Sequence, residues 1–234
     1  SENYYLNMNQ MIIIIKKQCS ALFPFLLALL FSNHLYASEK QQHSLVHINA
    51  DITVDGVLDE PHWQNATLVP IAFQDEPNEK GAPPVKTDAY MYEDGSNLYV
   101  AFVAEDPQPS EITASLRDRD TLWQDDTVIL IIDTFNDERS AYEFYVNPLG
   151  AQGDTRMSDT DGWQSDPSWD AIWDSAGQIT AQGFVVEMRI PFKALRFPEN
   201  KTDLTWGFAL MRNYQRDVLY QLSNMGFDRD IKCS

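Results

Sequence analysis

After Ser38 the chain is dominated by apolar and polar residues alternating with period two, and long stretches of 3.6-residue period are scarce. Strands are therefore the expected elements. Leu45 to Val54 reads as a first strand, closed by an Asp55-Gly56 turn. Asp59-Glu60-Pro61 then starts a short helix, with Asp59 as its cap and Pro61 in the first turn. Trp63 on that turn reads as a plug for the core. Ala66 to Phe73 is a second short strand, followed by a loop rich in Pro, Glu and Gly from Asp75 to Pro84.

Lys86 to Tyr92 and Leu98 to Glu105 flank Asp94-Gly95-Ser96, a strong hairpin signal. Thr127 to Phe135 is β-branched and apolar almost throughout, the mark of a central buried strand. The tight loop Asn136-Asp137-Glu138-Arg139 leads into Tyr142 to Asn147, a second hairpin. Phe184 to Ile190 is a further strand, Pro191 to Leu195 a one-turn helix, and Leu204 to Arg212 the last clear strand. The pattern predicts an all-β fold, a β-sandwich or jelly roll of roughly eight to ten mostly antiparallel strands. Asn213 to Ser234 fits that pattern poorly and is expected to be a truncated or atypical C-terminal segment, with the sandwich over residues 38–212.

Residues 1–37 read as a leader with an export signal. Lys16 and Lys17 form its basic part, Ala21 to Phe31 its apolar core, and Ala37 precedes the expected cut. That apolar core falls short of the ~20 residues that span a bilayer, so a membrane anchor is the weaker reading. Export places the domain in the periplasm or at the cell surface. The two cysteines are Cys19 and Cys233; loss of the leader removes Cys19, and no internal disulfide can then form.

A formal net charge of −18 argues against nucleic acid and anionic lipid as partners, and suits neutral or cationic ligands and calcium. There is no Gly-rich phosphate loop and no G-x-S-x-G elbow. His43, His47 and His62 fit no zinc spacing. Asp159-Thr160-Asp161-Gly162 resembles part of an EF-hand loop, but the first and twelfth positions would be Met157 and Ser168. A calcium site built from Asp side chains and loop carbonyls stays open as an expectation. With 35 Asp and Glu, a carboxylate pair at glycosidase spacing arises by chance, so such a pair is weak evidence of catalysis.

Ile52-x-Val54-Asp55-Gly56-x-Leu58-Asp59-Glu60-x-x-Trp63 and Leu122-Trp123-Gln124-Asp125-Asp126-Thr127-Val128 carry a resemblance. Leu98 to Phe102, Asp106-Pro107, Phe144 to Pro148 with Gly150, Glu187-x-x-Ile190-Pro191-Phe192 and Trp206-Gly207-Phe208 extend it in order. The ordered set resembles the carbohydrate-binding module family 9-like domain over Val46 to Arg212. Asp118-Arg119-Asp120, Asp125-Asp126 and Asp133-Thr134-Phe135 look most like the subgroup that precedes an outer-membrane β-barrel.

The resemblance implies a β-sandwich that binds the ends of oligosaccharides or polysaccharides, often with calcium, and has no catalysis of its own. It implies a sugar clamped between two Trp side chains, the first being Trp123. It also places Glu143, Tyr145 and Asn147 on one face of the facing strand. The chain departs from the family at Ile129, where an acidic residue is expected, and at Tyr145, where xylanase-linked members carry Arg. The second clamp Trp would lie beyond Trp206-Gly207-Phe208; Trp163 is the candidate to replace it, with Trp169 and Trp173 leaning to the core. A structural adaptor for a C-terminal outer-membrane barrel is the competing function. Weaker ones are a haem-binding domain using Met91, Met157, Met188 or Met211, and a glycosidase.

Overall fold

The computed structural model describes residues 42–50, 52–79, 81–116, 118–159, 164–198 and 204–226. In chain order the strands are β1 (Val46–His47), β2 (Thr67–Pro70), β3 (Phe73–Glu76), β4 (Thr87–Glu93), β5 (Asn97–Glu105), β6 (Thr127–Asp133) and β7 (Ser140–Val146). They continue with β8 (Gln152–Ser158), β9 (Gln164–Asp166), β10 (Asp174–Thr180), β11 (Gly183–Pro191), β12 (Gly207–Gln215) and β13 (Leu219–Ser223). Short 3-10 turns occupy Pro61–Asn65, Pro109–Glu111 and Phe192–Ala194.

Two sheets form a sandwich. One has the order β1-β4-β5-β11-β10, with β2 also on β4; the other has the order β3-β13-β12-β6-β7-β8-β9. All pairs are antiparallel except the two-residue β1–β4 pair. The all-β sandwich expected from the alternation is what forms.

β6 is buried along its whole length because neighbours cover both of its faces. Its register sets Leu130 opposite Phe144 and, on the other side of the sheet, Ile131 opposite Glu143 and Ile129 opposite Tyr145. Phe144 is an aromatic centre of the core, touched edge-on by Trp173 at 5.1 Å and Trp169 at 6.0 Å. Arg212, fully buried on β12, links the sheets: its Nη1 donates to Thr87 Oγ1 on β4 and to the Glu105 carbonyl on β5, both at 2.9 Å.

The N-terminal segment is a strap across the outer face of the first sheet. Trp63, Ile52, Tyr92, Tyr99 and Ala101 form a second apolar cluster there. Glu187 of β11 ties it down: its Oε2 accepts from Asp55 N at 3.0 Å and Gly56 N at 2.8 Å, and its Oε1 from Trp63 Nε1 at 3.1 Å. Gly56 has a φ of 85°, and a Cβ there would meet the Gly177 backbone at 3.0 Å, so both turn and contact require glycine. These bonds tie the Asp55-Gly56 turn and Trp63 to one carboxylate, which fixes the spacing between them.

Several expectations need correction. The first strand shrinks to Val46–His47, because strap residues bond to Glu187 rather than to a neighbouring strand. The helical turn is capped by Glu60, not Asp59, and without a side-chain hydrogen bond. Ala66 to Phe73 splits into β2 and β3, which join different sheets. β10 escapes notice because it is a polar, exposed edge strand. The sandwich does not end at Arg212: β12 runs to Gln215, and β13 lies between β12 and β3. Residues 227–234 of the expected C-terminal segment lie outside the described residues, as does the leader, 1–37.

Candidate functional site

Trp123 sits on the long loop that leads into β6. It is 68% exposed, and its ring meets Tyr145 edge-on at 5.8 Å and 68°. An exposed indole held by a second aromatic is a flat apolar platform with a polar border.

Acidic residues fasten this loop at several points. Asp126 N donates to Thr113 O at 2.7 Å, and Asp126 Oδ2 accepts from Thr113 N at 2.8 Å. Arg216, just past β12, donates to both Asp126 oxygens, at 3.2 and 3.3 Å, and also pairs with Asp106. Asp125 Oδ2 accepts from Ser115 N at 3.2 Å and from Asn147 Nδ2 at 2.9 Å. On the other side of Trp123, Asp120 Oδ1 accepts from Asp154 N at 2.9 Å. Arg119 Nε donates to Asp154 Oδ1 at 2.8 Å, and its Nη2 to the Ala171 carbonyl at 2.8 Å. Burial raises Asp126 and Asp154 above the usual carboxylate range, against the pull of Thr113 and Arg216 on the first and of Arg119 on the second. Asp120 before Trp123, and Asp125 and Asp126 after it, thus fasten the loop on both sides of the exposed ring.

Tyr145 and Glu143 share the outer face of β7. Tyr145 donates its hydroxyl to Glu143 Oε2 at 2.7 Å. Glu143 is 6% exposed, and burial pushes its carboxyl up to about 7, with the Tyr145 hydrogen bond opposing. Burial, and the Glu143 charge after it, push the Tyr145 phenol well up. The sign for stability follows. Below about pH 4.5 folded and unfolded chains both hold the proton; between there and pH 7 only the folded chain does. Stability is therefore full at low pH and declines by roughly 3 kcal/mol as pH rises through 7. Glu143→Gln should remove that decline: its stability relative to the parent, measured by urea unfolding, should improve from about pH 4.5 to 7 and level off above. A pH-independent difference would contradict the account.

Asn147, expected on the ligand face, is turned into the fold. It is fully buried; its Nδ2 donates to Ser115 O and Asp125 Oδ2, and its Oδ1 accepts from Leu149 N and Ala151 N. Trp173 and Trp169 pack on Phe144, the opposite face of the sheet from Tyr145, so neither can face Trp123. Trp163 and Thr160-Asp161-Gly162 lie outside the described residues. Trp63 and Trp206 are buried, as expected for core plugs. Ile129, beside Tyr145, leaves that position apolar.

Asp120, Asp154 and Asp170 bring carboxylate oxygens within 4.8 Å of one another, the one such acidic cluster among the described residues. Calcium wants six to eight oxygens. Here a cation already occupies the cluster, since Arg119 is bonded to Asp154 and lies 3.6 Å from Asp170. Asp154 Oδ2 is taken by Ala171 N. The arrangement does not fit a calcium ion.

Sequence reasoning missed Arg216, which falls in the segment set aside as atypical, and saw Arg119 and Asp120 only as marks of resemblance. The signal was the Asp118-Arg119-Asp120 run before the exposed Trp123 and the Asp125-Asp126 pair after it.

The profile of the carbohydrate family 9 binding domain-like family matches residues 54–228. Among solved structures, a Bacteroides uniformis protein described as a candidate carbohydrate binder superposes with a TM-score of 0.61 at 11% identity, over 81% of this chain and 92% of that one. A family 9 carbohydrate-binding module from Caldicellulosiruptor kristjanssonii in complex with glucose gives 0.53 at 17% identity, over 80% and 86%. The same module with cellotriose gives 0.54 at 17%, over 80% and 85%. No curated protein gives a significant sequence match.

Proposed function

Because the chain belongs to the carbohydrate family 9 binding domain-like family, we propose that it is a non-catalytic glycan-binding domain whose ligand stacks on Trp123. A pyranose ring offers an apolar face of C–H groups and an equator of hydroxyls. Trp123 takes the face, while Tyr145 and Glu143 meet the equator. The observation that carries this reading is the exposure of Trp123 on a loop pinned by Asp120, Asp125 and Asp126. Holding a large apolar ring out in water is unfavourable for folding, and a pinned loop prevents its collapse.

The Caldicellulosiruptor module was captured with glucose and with cellotriose, which makes β-glucans the first ligands to try. Calorimetric titration with glucose, cello- and xylo-oligosaccharides should give binding in the micromolar-to-millimolar range. Silence across that panel would end the proposal. The leader pattern of residues 1–37 supports a location outside the cytoplasm; mature protein beginning at Ser38, read by N-terminal sequencing, would establish the cut.

A further inference from the structure

Most buried carboxyls of this fold have evident compensation, and Glu143 stands apart from them. Asp106 and Asp126 face Arg216, and Asp154 faces Arg119. Asp133 accepts from three backbone N–H groups, Asp125 from Ser115 N and Asn147, and Glu187 from two backbone N–H groups and an indole. Glu143 has only the Tyr145 hydroxyl.

Its surroundings explain why nothing in the fold neutralises it. Across β6 it meets Ile131, and across β8 it meets Thr155, whose hydroxyl is engaged with Ser165 Oγ at 2.6 Å. Along its own strand comes Tyr145, then Trp123 from the loop. Tyr145 is the one titratable group acting on Glu143 among the described residues, and no Lys, Arg or His pairs with it there. A carboxyl left this way, beside the strongly exposed Trp123, calls for a partner from outside.

We propose that the partner is the ammonium group of an amino sugar, so that the Trp123 platform prefers glycans with free hexosamine units over neutral or N-acetylated ones. This rests on the reading of Trp123 as the sugar platform. A protonated amine suits both elements of the site: it ion-pairs with the Glu143 carboxylate, and it is attracted to the electron-rich face of the indole. The net charge of −18 draws cationic glycans toward the domain and does nothing for neutral ones. The ion pair also supplies what the fold lacks, since a neighbouring positive charge favours the ionised carboxylate that burial disfavours.

The test uses the full domain and three disaccharides at pH 7: the glucosamine disaccharide, cellobiose and the N,N′-diacetylated glucosamine disaccharide. The amine should bind about tenfold tighter than either neutral sugar. Glu143→Gln should abolish that preference, so that the amine binds no tighter than cellobiose to the same variant. If Glu143→Gln does not fold, Glu143→Asp, which retracts the carboxyl by one methylene, must reduce the preference. Equal binding of all three sugars would overturn the inference and leave the glycan-binding function standing. Amine preference that survives the Glu143 variants would also overturn it. Binding of none of the three would remove the platform reading on which it rests.

Discussion

Glu187→Ala should lower the melting temperature by roughly 10–20 °C, the largest stability effect of a single substitution expected in this domain. Glu187 is wholly buried in β11 and gathers Asp55 N, Gly56 N and Trp63 Nε1. Alanine strands three donors, of which the buried Gly56 N and Trp63 Nε1 cost about 1–3 kcal/mol each and the part-buried Asp55 N less, and it opens a cavity under the strap. Burial is the main influence raising the Glu187 carboxyl, with Glu60 adding to it and the N–H donors opposing. Glu187→Gln, which keeps an acceptor oxygen but turns a donor toward the strap, should fall between. Hydrogen exchange should locate the loss, with residues 52–65 losing protection first. A melting point within a degree or two of the parent would show that the strap is held by other means.

Trp123→Ala should cost about 30-fold or more in glycan affinity and under about 1 kcal/mol in stability. The asymmetry follows from exposure: at 68%, the ring gives the fold little beyond its edge contact with Tyr145. It gives a stacked sugar nearly all of the apolar contact. Calorimetry with the best ligand of the panel, beside thermal unfolding of both proteins, separates the two effects. A large loss of stability would mean that Trp123 packs rather than binds.

The sandwich was legible because burial on one face gives period-two alternation, as along β11, while β6, covered on both faces, reads as an unbroken apolar run. What escaped detection obeys other forces. β10 is an exposed edge whose Asp-Ser-Ala-Gly-Gln run is held by backbone bonding to β11. β13 lies after Arg216-Asp217-Val218, a polar turn that looked like the end of the fold. At the site, Trp123, Tyr145 and Glu143 were placed on the right elements, since strand alternation dictates that Glu143 and Tyr145 share a face. Alternation puts Asn147 on that face as well, but it cannot say that Asn147 lies beneath a loop returning from Thr113. Two of its four side-chain hydrogen bonds go to Ser115 and Asp125, distant partners that no local pattern reveals, and the other two close a local turn on Leu149 and Ala151.

The most direct test of Trp123 as the platform is the indole N–H region of a proton–nitrogen NMR spectrum during titration with cellotriose, the Trp123 signal being assigned by its loss in Trp123→Phe. Trp123 should shift progressively with ligand, while Trp63, Trp173 and Trp206, buried in the two apolar clusters, stay in place. Saturable binding of cellotriose with the Trp123 signal unmoved would contradict the account.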